Sequence, residues 1–303
     1  MLHILQTGGT EEMKKGRLFI ESIMKPYEEV PNSGNMRVLR DVVSIEGFWK
    51  NDVIVRSNIT EEFWQKVIDT SKEYRVCALG ISGIGKTTST GILIRLLLEQ
   101  KQTVIYCIRK NCKNGLFYMF TPLSTGKMDV ELIWEKKFKC TASKYNDPSI
   151  YYVIDPGRTT DSCNLPNTYV GKVIIITEPD GRLWGSSEFR KQRDSVKGLF
   201  LFFPVWTLKE LLNAKQFFDK DSCIDDETII SRYEEVGGVP PHIFTREDYY
   251  KQIVAYKKHE IRYLKESKLQ RLISNHMDAV KTSNEHLSSL IVYGRTMDNN
   301  FLK

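Results

Sequence analysis

The feature that most restricts the fold of this 303-residue chain is the octapeptide Gly-Ile-Ser-Gly-Ile-Gly-Lys-Thr at residues 80–87. It matches the pattern G-x-x-x-x-G-K-S/T at every fixed position. The preceding residues, 74–79, form an apolar run with the length of a buried parallel strand, and residues 86–99 have the pattern of a buried helix. The octapeptide therefore predicts a strand–loop–helix unit in an α/β fold. A glycine turn that only joins a strand to a helix is the alternative.

The residue types of this loop suit the binding of phosphate groups. Gly80, Gly83 and Gly85 can reach positive φ, so that successive N–H groups converge on phosphate oxygens, and the following helix adds a partial positive charge. Lys86 would contact the β- and γ-phosphates of ATP, and the Thr87 hydroxyl would complete the shell of a Mg²⁺ ion. We therefore predict that the nucleotide is bound by Gly80, Ile81, Ser82, Gly83, Ile84, Gly85, Lys86, Thr87 and Thr88.

Composition limits the class of protein. Hydrophobic residues make up 41% of the chain and charged residues 27%, which is ordinary for a soluble globular protein, and the formal net charge is +6. No stretch approaches the roughly 18–20 apolar residues of a membrane span, and the start of the chain lacks the pattern of a signal peptide. The six cysteines are scattered without the spacing of a zinc site. We expect a cytoplasmic or nuclear protein with no membrane partner.

Beyond the loop, the pattern alternates between strands and helices. Continuous apolar runs occur at residues 103–108, 150–155, 173–177 and 199–203, which is typical of parallel strands covered on both faces. Residues 116–134 have the pattern of a hairpin with its turn at 124–127. These runs predict an α/β fold of the P-loop NTPase type, with a mostly parallel central sheet.

Residues from 207 onward have the pattern of helices. Thr207 and Glu210 form a capping box, Asp225 is a second N-cap, and Gly237 ends a helix. Thr245 caps a long helix directed towards residue 276. The predicted organisation is an N-terminal α+β segment over 1–72, a phosphate-loop core over 73–222 and a C-terminal helical lid over 223–303.

A carboxylate at the end of a neighbouring strand is the second part of a Mg-nucleotide site. Asp155 ends the run at 150–155, so we predict Thr87 and Asp155 as the Mg²⁺ ligands. Many ATPases place a glutamate directly after this aspartate, but here the next residue is Pro156. Thr177 ends the following strand and is suited to contact the γ-phosphate or the attacking water, and the adjacent Glu178 is a candidate for orienting that water. A solvated acid at a strand end is the alternative for Glu178. The predicted catalytic residues are Lys86, Asp155, Thr177 and Glu178.

An arginine that touches the γ-phosphate would stabilise the transition state. Arg182, Arg190 and Arg193 follow the strand of Thr177, in a segment where ring-forming ATPases often carry such a residue. Each of them alone is also compatible with ordinary surface charge. If one of them reaches the site of a neighbouring copy, the protein would act as a homo-oligomer.

Four segments together are similar to a known family. Residues 78–87 resemble the "GTPGIGKS" loop of the retrotransposon hot spot proteins and the Crinkler effectors. Residues 173–179 resemble their strand ending in Thr/Ser and Pro, residues 203–211 their "P-x-W-S/T-x-x-E-L" element, and residues 232–240 their "R-F/Y-x-x-x-G-G-V/I-P-R" element. The resemblance covers roughly residues 40–290. It implies an AAA-like ATPase module with an additional strand, which in some members is secreted into a host and acts in its nucleus.

The chain departs from this family in two places. Pro241 stands where an arginine is expected, so a second γ-phosphate sensor does not carry over. Residues 1–60 lack the translocation segment of Crinklers, so secretion does not carry over either.

Several functions are compatible with these patterns. The main interpretation is a slow Mg-dependent ATPase that acts as a switch or motor. The alternatives are a non-catalytic interaction module that nucleotide stabilises and a small-molecule kinase. A nucleic-acid partner depends on the basic and tyrosine-rich helix over 249–271, whose solvated face is a simpler explanation of the same residues.

Overall fold

The structure, a computed structural model, describes residues 11–45, 50–56, 59–108, 116–134, 145, 147–155, 171–178, 198–218 and 224–263. Within them, the strands form a three-stranded sheet and a seven-stranded sheet. The N-terminal part contains α1 (Glu11–Ile23), β1 (Glu28–Glu29), β2 (Arg37–Val43), β3 (Lys50–Val55) and α2 (Ile59–Ser71). The larger sheet contains β4 (Arg75–Leu79), β5 (Val104–Ile108), β6 (Leu116–Pro122), β7 (Met128–Trp134), β8 (Tyr151–Asp155), β9 (Lys172–Thr177) and β10 (Gly198–Phe202). The other helices are α3 (Lys86–Glu99), which follows the phosphate loop, and α4 (Leu208–Phe218), α5 (Asp226–Val236), α6 (Pro240–Ile243) and α7 (Glu247–Tyr263) in the second half of the chain.

The larger sheet is mostly parallel, as the sequence predicts. Its order is β10-β4-β9-β8-β5-β6-β7, and the first five of these strands run parallel to their neighbours. The predicted hairpin is present as the antiparallel pair β6 and β7, which extends the sheet beyond β5. One strand, β9, therefore lies between β4, which leads into the phosphate loop, and β8, which ends in Asp155.

Both faces of this sheet are buried, which explains why its strands are continuous apolar runs. In β4, Val76 and Ala78 belong to one hydrophobic cluster, whereas Cys77 and Leu79 belong to another on the opposite face. Helices α1, α2 and α3 pack against the first face. Burial raises the pKa of the Cys77 thiol, so Cys77 acts as a small apolar core residue.

A third hydrophobic cluster packs the N-terminal three-stranded sheet against helices of the second half of the chain. It brings Val38 of β2 together with Leu211 of α4, Ile229 of α5 and Ile243 of α6, all of them buried. Helix α4, which lies inside the predicted core over 73–222, thus shares a cluster with helices of the predicted lid and with the N-terminal sheet. The division into segments at 72 and 222 stays a prediction.

Three predicted helix ends in the second half of the chain are confirmed, at Thr207, Asp225 and Gly237, but the predicted cap at Thr245 is wrong by one residue, because α7 begins at Glu247 and Arg246 directly precedes it. The amide of Glu210 donates to Thr207 Oγ1 at 3.2 Å, and the amide of Thr207 donates to Glu210 Oε2 at 2.8 Å. The amide of Thr228 donates to Asp225 Oδ1 at 2.7 Å, and Gly237 ends α5 with a φ of +77°. No helix in the described part is both long enough and apolar enough to cross a membrane.

Candidate functional site

The loop between β4 and α3 has the backbone shape that phosphate binding requires. Gly83 and Gly85 have φ values of +84° and +96°, in the region that glycine adopts without steric strain. Gly85 is also the N-cap of α3, and no side chain caps this helix. The first N–H groups of α3 therefore have no side-chain acceptor from a cap, and the positive end of the helix dipole lies at the loop.

Gly80 has a different role from the one that the sequence suggested. Positive φ was expected at Gly80, and this is wrong, because Gly80 is not among the described glycines in the left-handed region. Its requirement is steric instead. A Cβ at this position would lie 2.6 Å from Ile84 Cδ1 and 3.1 Å from Lys86 Cδ. A side chain at position 80 would therefore require the Ile84 side chain to move.

Lys86 lies inside the loop rather than in solvent, and its side chain is buried. Its ammonium group donates to the carbonyl oxygens of Gly80 at 2.5 Å and Ile81 at 2.7 Å. Two carbonyl dipoles therefore stabilise a buried positive charge at the centre of the loop. A phosphate oxygen would offer this ammonium group a full negative charge.

One cavity of about 460 Å³ brings most of the predicted site residues together. Its lining includes the loop and the beginning of α3, from Ser82 to Thr88. It also includes Asp155, Thr177 and Glu178, which come from the ends of β8 and β9. Gly80 and Ile81 contribute their carbonyl groups to Lys86 rather than to the wall of the cavity.

The strand register explains why these side chains meet. Thr177 is paired with Leu79, the last residue before the loop, and Ile154 is paired with Ile175. The carboxyl ends of β4, β9 and β8 therefore lie at one edge of the sheet, and Asp155 is two strands, or about 10 Å, from β4. Asp155 and Thr177 are buried, with 6% and 5% of their surfaces exposed.

The residues of this edge fit a magnesium ion held together with phosphate. Thr87 offers a hydroxyl and Asp155 a carboxylate, and oxygen atoms are the ligands that Mg²⁺ prefers. No group of three or more His, Cys, Asp and Glu side chains able to hold a metal occurs among the described residues. A site with two protein ligands suits Mg²⁺, which usually keeps water and substrate phosphates in its shell.

Two further walls of the cavity were not predicted as parts of the site. One comes from β3 and the residue after it, with Asp52, Ile54 and Arg56. The other comes from the C-terminal half of the chain and includes Trp206, Phe218, Pro240 and Pro241. Only the motifs that contain Trp206 and Pro240 stood out in the sequence, and no local pattern marked Arg56.

Arg56 ties these walls to each other. Its guanidinium forms two hydrogen bonds of 3.0 Å with the carboxylate of Glu210 and donates to the carbonyl oxygens of Pro204 at 2.6 Å and Val205 at 2.7 Å. It also lies over the ring of Trp206, 4.8 Å from the ring centroid. Because these groups accept four of its five N–H donors, Arg56 acts as a structural clamp rather than as a phosphate ligand.

The segment around Pro241 packs directly on the phosphate loop. A Cβ at Gly83 would lie 3.1 Å from Pro241 Cγ and 3.3 Å from Val239 Cγ1. Position 241, where the resemblance predicts an arginine, is therefore beside the loop, but proline carries no charge. Pro156 and the candidate arginines Arg182, Arg190 and Arg193 lie outside the described residues.

The fold, together with the loop and strand ends that line the cavity, indicates the structural class of this protein. The chain is an α/β protein with a mostly parallel sheet, and its phosphate loop and strand order are consistent with a P-loop fold. No family model and no curated protein matches the sequence.

The solved structures that match this chain resemble it only distantly. The Hsp104–ADP complex of S. cerevisiae has a TM-score of 0.37 and 14% identity, over 75% of this chain and 37% of that one. Two structures of the Thermotoga maritima RuvB Holliday junction branch migration motor, one of them a variant, have a TM-score of 0.31 and 14% identity, over 80% of this chain and 84% of theirs. This chain thus spans little more than a third of Hsp104. Structural similarity at this level gives no basis for assigning the function of these proteins to this chain.

Proposed function

We propose that this protein binds Mg-ATP and is a slow ATPase that acts as a switch or motor. The single observation that carries the proposal is the cavity in which the loop, Asp155 and Thr177 meet. The loop supplies backbone N–H groups and the Lys86 charge for the phosphates. Thr87 and Asp155 would hold a Mg²⁺ ion, which neutralises charge on the phosphate oxygens when it is bound.

The rest of the cavity suits the nucleoside part of the ligand. Its volume of about 460 Å³ is within the usual range of roughly 300–1,000 Å³ for small-molecule sites. Beyond the loop, its walls include the apolar or aromatic side chains of Ile54, Phe218 and Pro240. The flat faces of a nucleobase would pack well against such walls, because the contact removes apolar surface from water.

Hydrolysis by this site should be slow. Glu178 is the carboxylate beside Thr177 at the cavity, and the Thr177 hydroxyl donates to the Glu178 carbonyl oxygen at 3.3 Å. In this assignment Thr177 and Glu178 orient the attacking water. Position 241, where the resemblance predicts an arginine, supplies no positive charge because it is a proline. Phosphoryl transfer depends on positioning and on charge stabilisation, so a missing cation lowers the rate directly.

The function is tested by measuring binding and turnover of Mg-ATP on protein of known oligomeric state. Calorimetry gives the affinity, and steady-state phosphate release gives the rate. We expect Lys86→Ala to weaken ATP binding at least tenfold, because it removes the charge that meets the phosphates. Lys72→Ala is the matched control, since Lys72 is exposed and pairs with Asp69 away from the cavity. Unchanged affinity of Lys86→Ala contradicts the proposal.

The same measurements separate the alternatives. Tight binding without phosphate release supports a nucleotide-stabilised interaction module. Transfer of phosphate to an added small molecule, rather than to water, supports a kinase. Asp155→Asn should reduce the Mg²⁺ dependence of ATP binding, because the amide is a weaker ligand than the carboxylate.

We propose that this chain is related to the retrotransposon hot spot and Crinkler families, and that it is cytoplasmic or nuclear, as its scattered cysteines suggest. The support is the position of two family elements, since the segments with Trp206 and with Pro241 both pack on the loop. Homo-oligomer formation is proposed because Pro241 supplies no charge at the loop, so that an arginine of a neighbouring copy would complete the site.

A nucleic-acid partner has weaker support. On α7, Tyr249 and Tyr256 are exposed, but Lys251 and Lys258 pair with Glu247 and Glu235. The phosphate-release experiment therefore includes an arm with added DNA, in which an unchanged rate removes this partner from the proposal.

A further inference from the structure

Trp206, which follows strand β10, makes a buried hydrogen bond to the phosphate loop. Its indole Nε1 donates to the carbonyl oxygen of Ile84 at 3.1 Å, across 122 positions of sequence. The indole is 4% exposed. This bond acts on the loop at the peptide between Ile84 and Gly85, just before α3 begins.

The geometry of a peptide unit gives this bond a specific consequence. A trans peptide is planar, and its C=O and N–H groups point in opposite directions. All described peptide bonds are trans. When the indole holds the Ile84 carbonyl, the N–H of Gly85 must therefore point away from Trp206. Because Gly85 is a glycine at a φ of +96°, its own sterics select the orientation of this peptide only weakly.

Trp206 is itself held in place on three sides. Arg56 lies over its ring at 4.8 Å from the centroid and binds the carbonyl oxygens of the two preceding residues. The backbone amide of Trp206 donates to the carbonyl oxygen of Gly238 at 3.0 Å. A Cβ at Gly238 would lie 1.8 Å from the carbonyl oxygen of Trp206, so the two backbones are in direct contact. The indole therefore has little freedom to turn away from the loop.

We propose that Trp206 is a positioning residue that fixes the Ile84–Gly85 peptide in the orientation that presents the Gly85 N–H to phosphate. This inference rests on the proposed nucleotide binding. Trp206 acts through the loop and contributes no charge. Arg56 and Glu210 act one step further out, since they hold Trp206.

The test is the variant Trp206→Phe, which keeps an aromatic ring in the cavity wall but removes the N–H donor. We expect the affinities for Mg-ADP and Mg-ATP, measured by calorimetry, to fall about five- to tenfold, as for the loss of one hydrogen bond. The two should fall together, because the peptide is positioned before hydrolysis. The tryptophan emission of the unmutated protein should change when Mg-ADP binds, and this change should be absent in Trp206→Phe.

A matched control is available in the same molecule. Tyr118 is also buried, and its hydroxyl donates to Glu12 Oε2 at 3.0 Å, between β6 and α1. Tyr118→Phe removes a buried donor from a residue that does not line the cavity, and it should leave nucleotide affinity and the emission change intact. A loss of affinity in Tyr118→Phe equal to that in Trp206→Phe would mean that general destabilisation is responsible, and the inference would be wrong.

Three further outcomes are decisive. If Trp206→Phe does not fold, Glu210→Gln replaces it, because the amide keeps the volume but loses the charge that anchors Arg56. We expect this variant to bind nucleotide two- to threefold more weakly, and unchanged binding overturns the inference. If the unmutated protein and Lys86→Ala bind no nucleotide at all, the proposed function has failed. If the unmutated protein binds and Trp206→Phe binds equally well, only the inference has failed.

Discussion

At the scale of single residues, Gly238 is the clearest case of a position where contact with another part of the chain leaves no space for a side chain. Gly238→Ala would place a Cβ 1.8 Å from the Trp206 carbonyl oxygen, so the two backbones would have to separate. We expect a loss of about 3 kcal/mol or more in the free energy of unfolding. The control is Gly126→Ala, where φ is +76° and a Cβ meets nothing within 4 Å, so that only the strain of about 1 kcal/mol remains. Urea unfolding measures both, and equal losses would contradict the close contact.

His242 makes the stability depend on pH. Burial, with a smaller contribution from the charge of Lys257, lowers its pKa from 6.5 to about 4, and its Nδ1 atom has no hydrogen-bond partner among the described residues. The unfolded chain therefore takes up a proton on this histidine below about pH 6.5, whereas the folded chain does so only near pH 4. Acid thus favours the unfolded state over this interval.

The corresponding prediction compares melting temperatures between pH 7.5 and 4.5. His242→Gln should lose less stability over this range than the unmutated protein, because the glutamine does not titrate. The carboxylates of Asp225 and Glu247, whose pKa values are lowered by hydrogen bonds to Thr228 and Arg232, weaken both proteins equally. Parallel pH profiles for the two proteins would show that His242 has no such role.

At the scale of elements, the Arg56–Glu210 pair joins the end of β3 to α4. The two side chains are 2% and 10% exposed, and Glu210 also accepts the N-terminal hydrogen bonds of α4 from Thr207. Glu210→Ala leaves the Arg56 charge buried without its carboxylate, and we expect a loss of about 3–5 kcal/mol.

Chemical unfolding checks this prediction against an exposed ion pair. Glu28 pairs with Arg40 at side-chain exposures of 59% and 42%, so Glu28→Ala should change the stability by less than about 1 kcal/mol. A loss of that small size for Glu210→Ala would mean that water enters the clamp and solvates Arg56.

At the scale of the whole molecule, we expect turnover to depend on assembly. Without an arginine at Pro241, the isolated chain should hydrolyse ATP below the roughly 1–100 s⁻¹ of well-equipped phosphotransfer enzymes. If Arg190 or Arg193 reaches the site of a neighbouring copy, the rate per chain should rise with protein concentration. Alanine variants of these arginines should lose that rise, whereas the exposed Lys72→Ala should keep it. Rapid turnover by a dilute monomer would show that a different base or cation is present.

Much of the fold could be predicted because its signals are local. The central positions of β4, β8 and β9 form continuous apolar runs, as expected for strands buried on both faces, and the ends of β8 and β9 locate Asp155 and Thr177. Helix α1 and the bounds of β2 and β3 could not be derived in this way. The N-terminal segment packs against distant parts of the chain, and its own pattern is broken by glycine and proline.

The sequence alone determined the phosphate loop and the two strand-end residues. Glycine backbone freedom, helix capping and strand length each depend on residues that are only a few positions apart in the sequence. Only the tertiary structure decided which segments close the cavity. Arg56 meets Glu210 across 154 positions, and Trp206 meets Ile84 across 122. At Gly80 the close contact is with the Ile84 side chain, and the backbone does not have a positive φ. Contacts of this kind arise when distant segments exclude water from a shared core, and no local pattern encodes them.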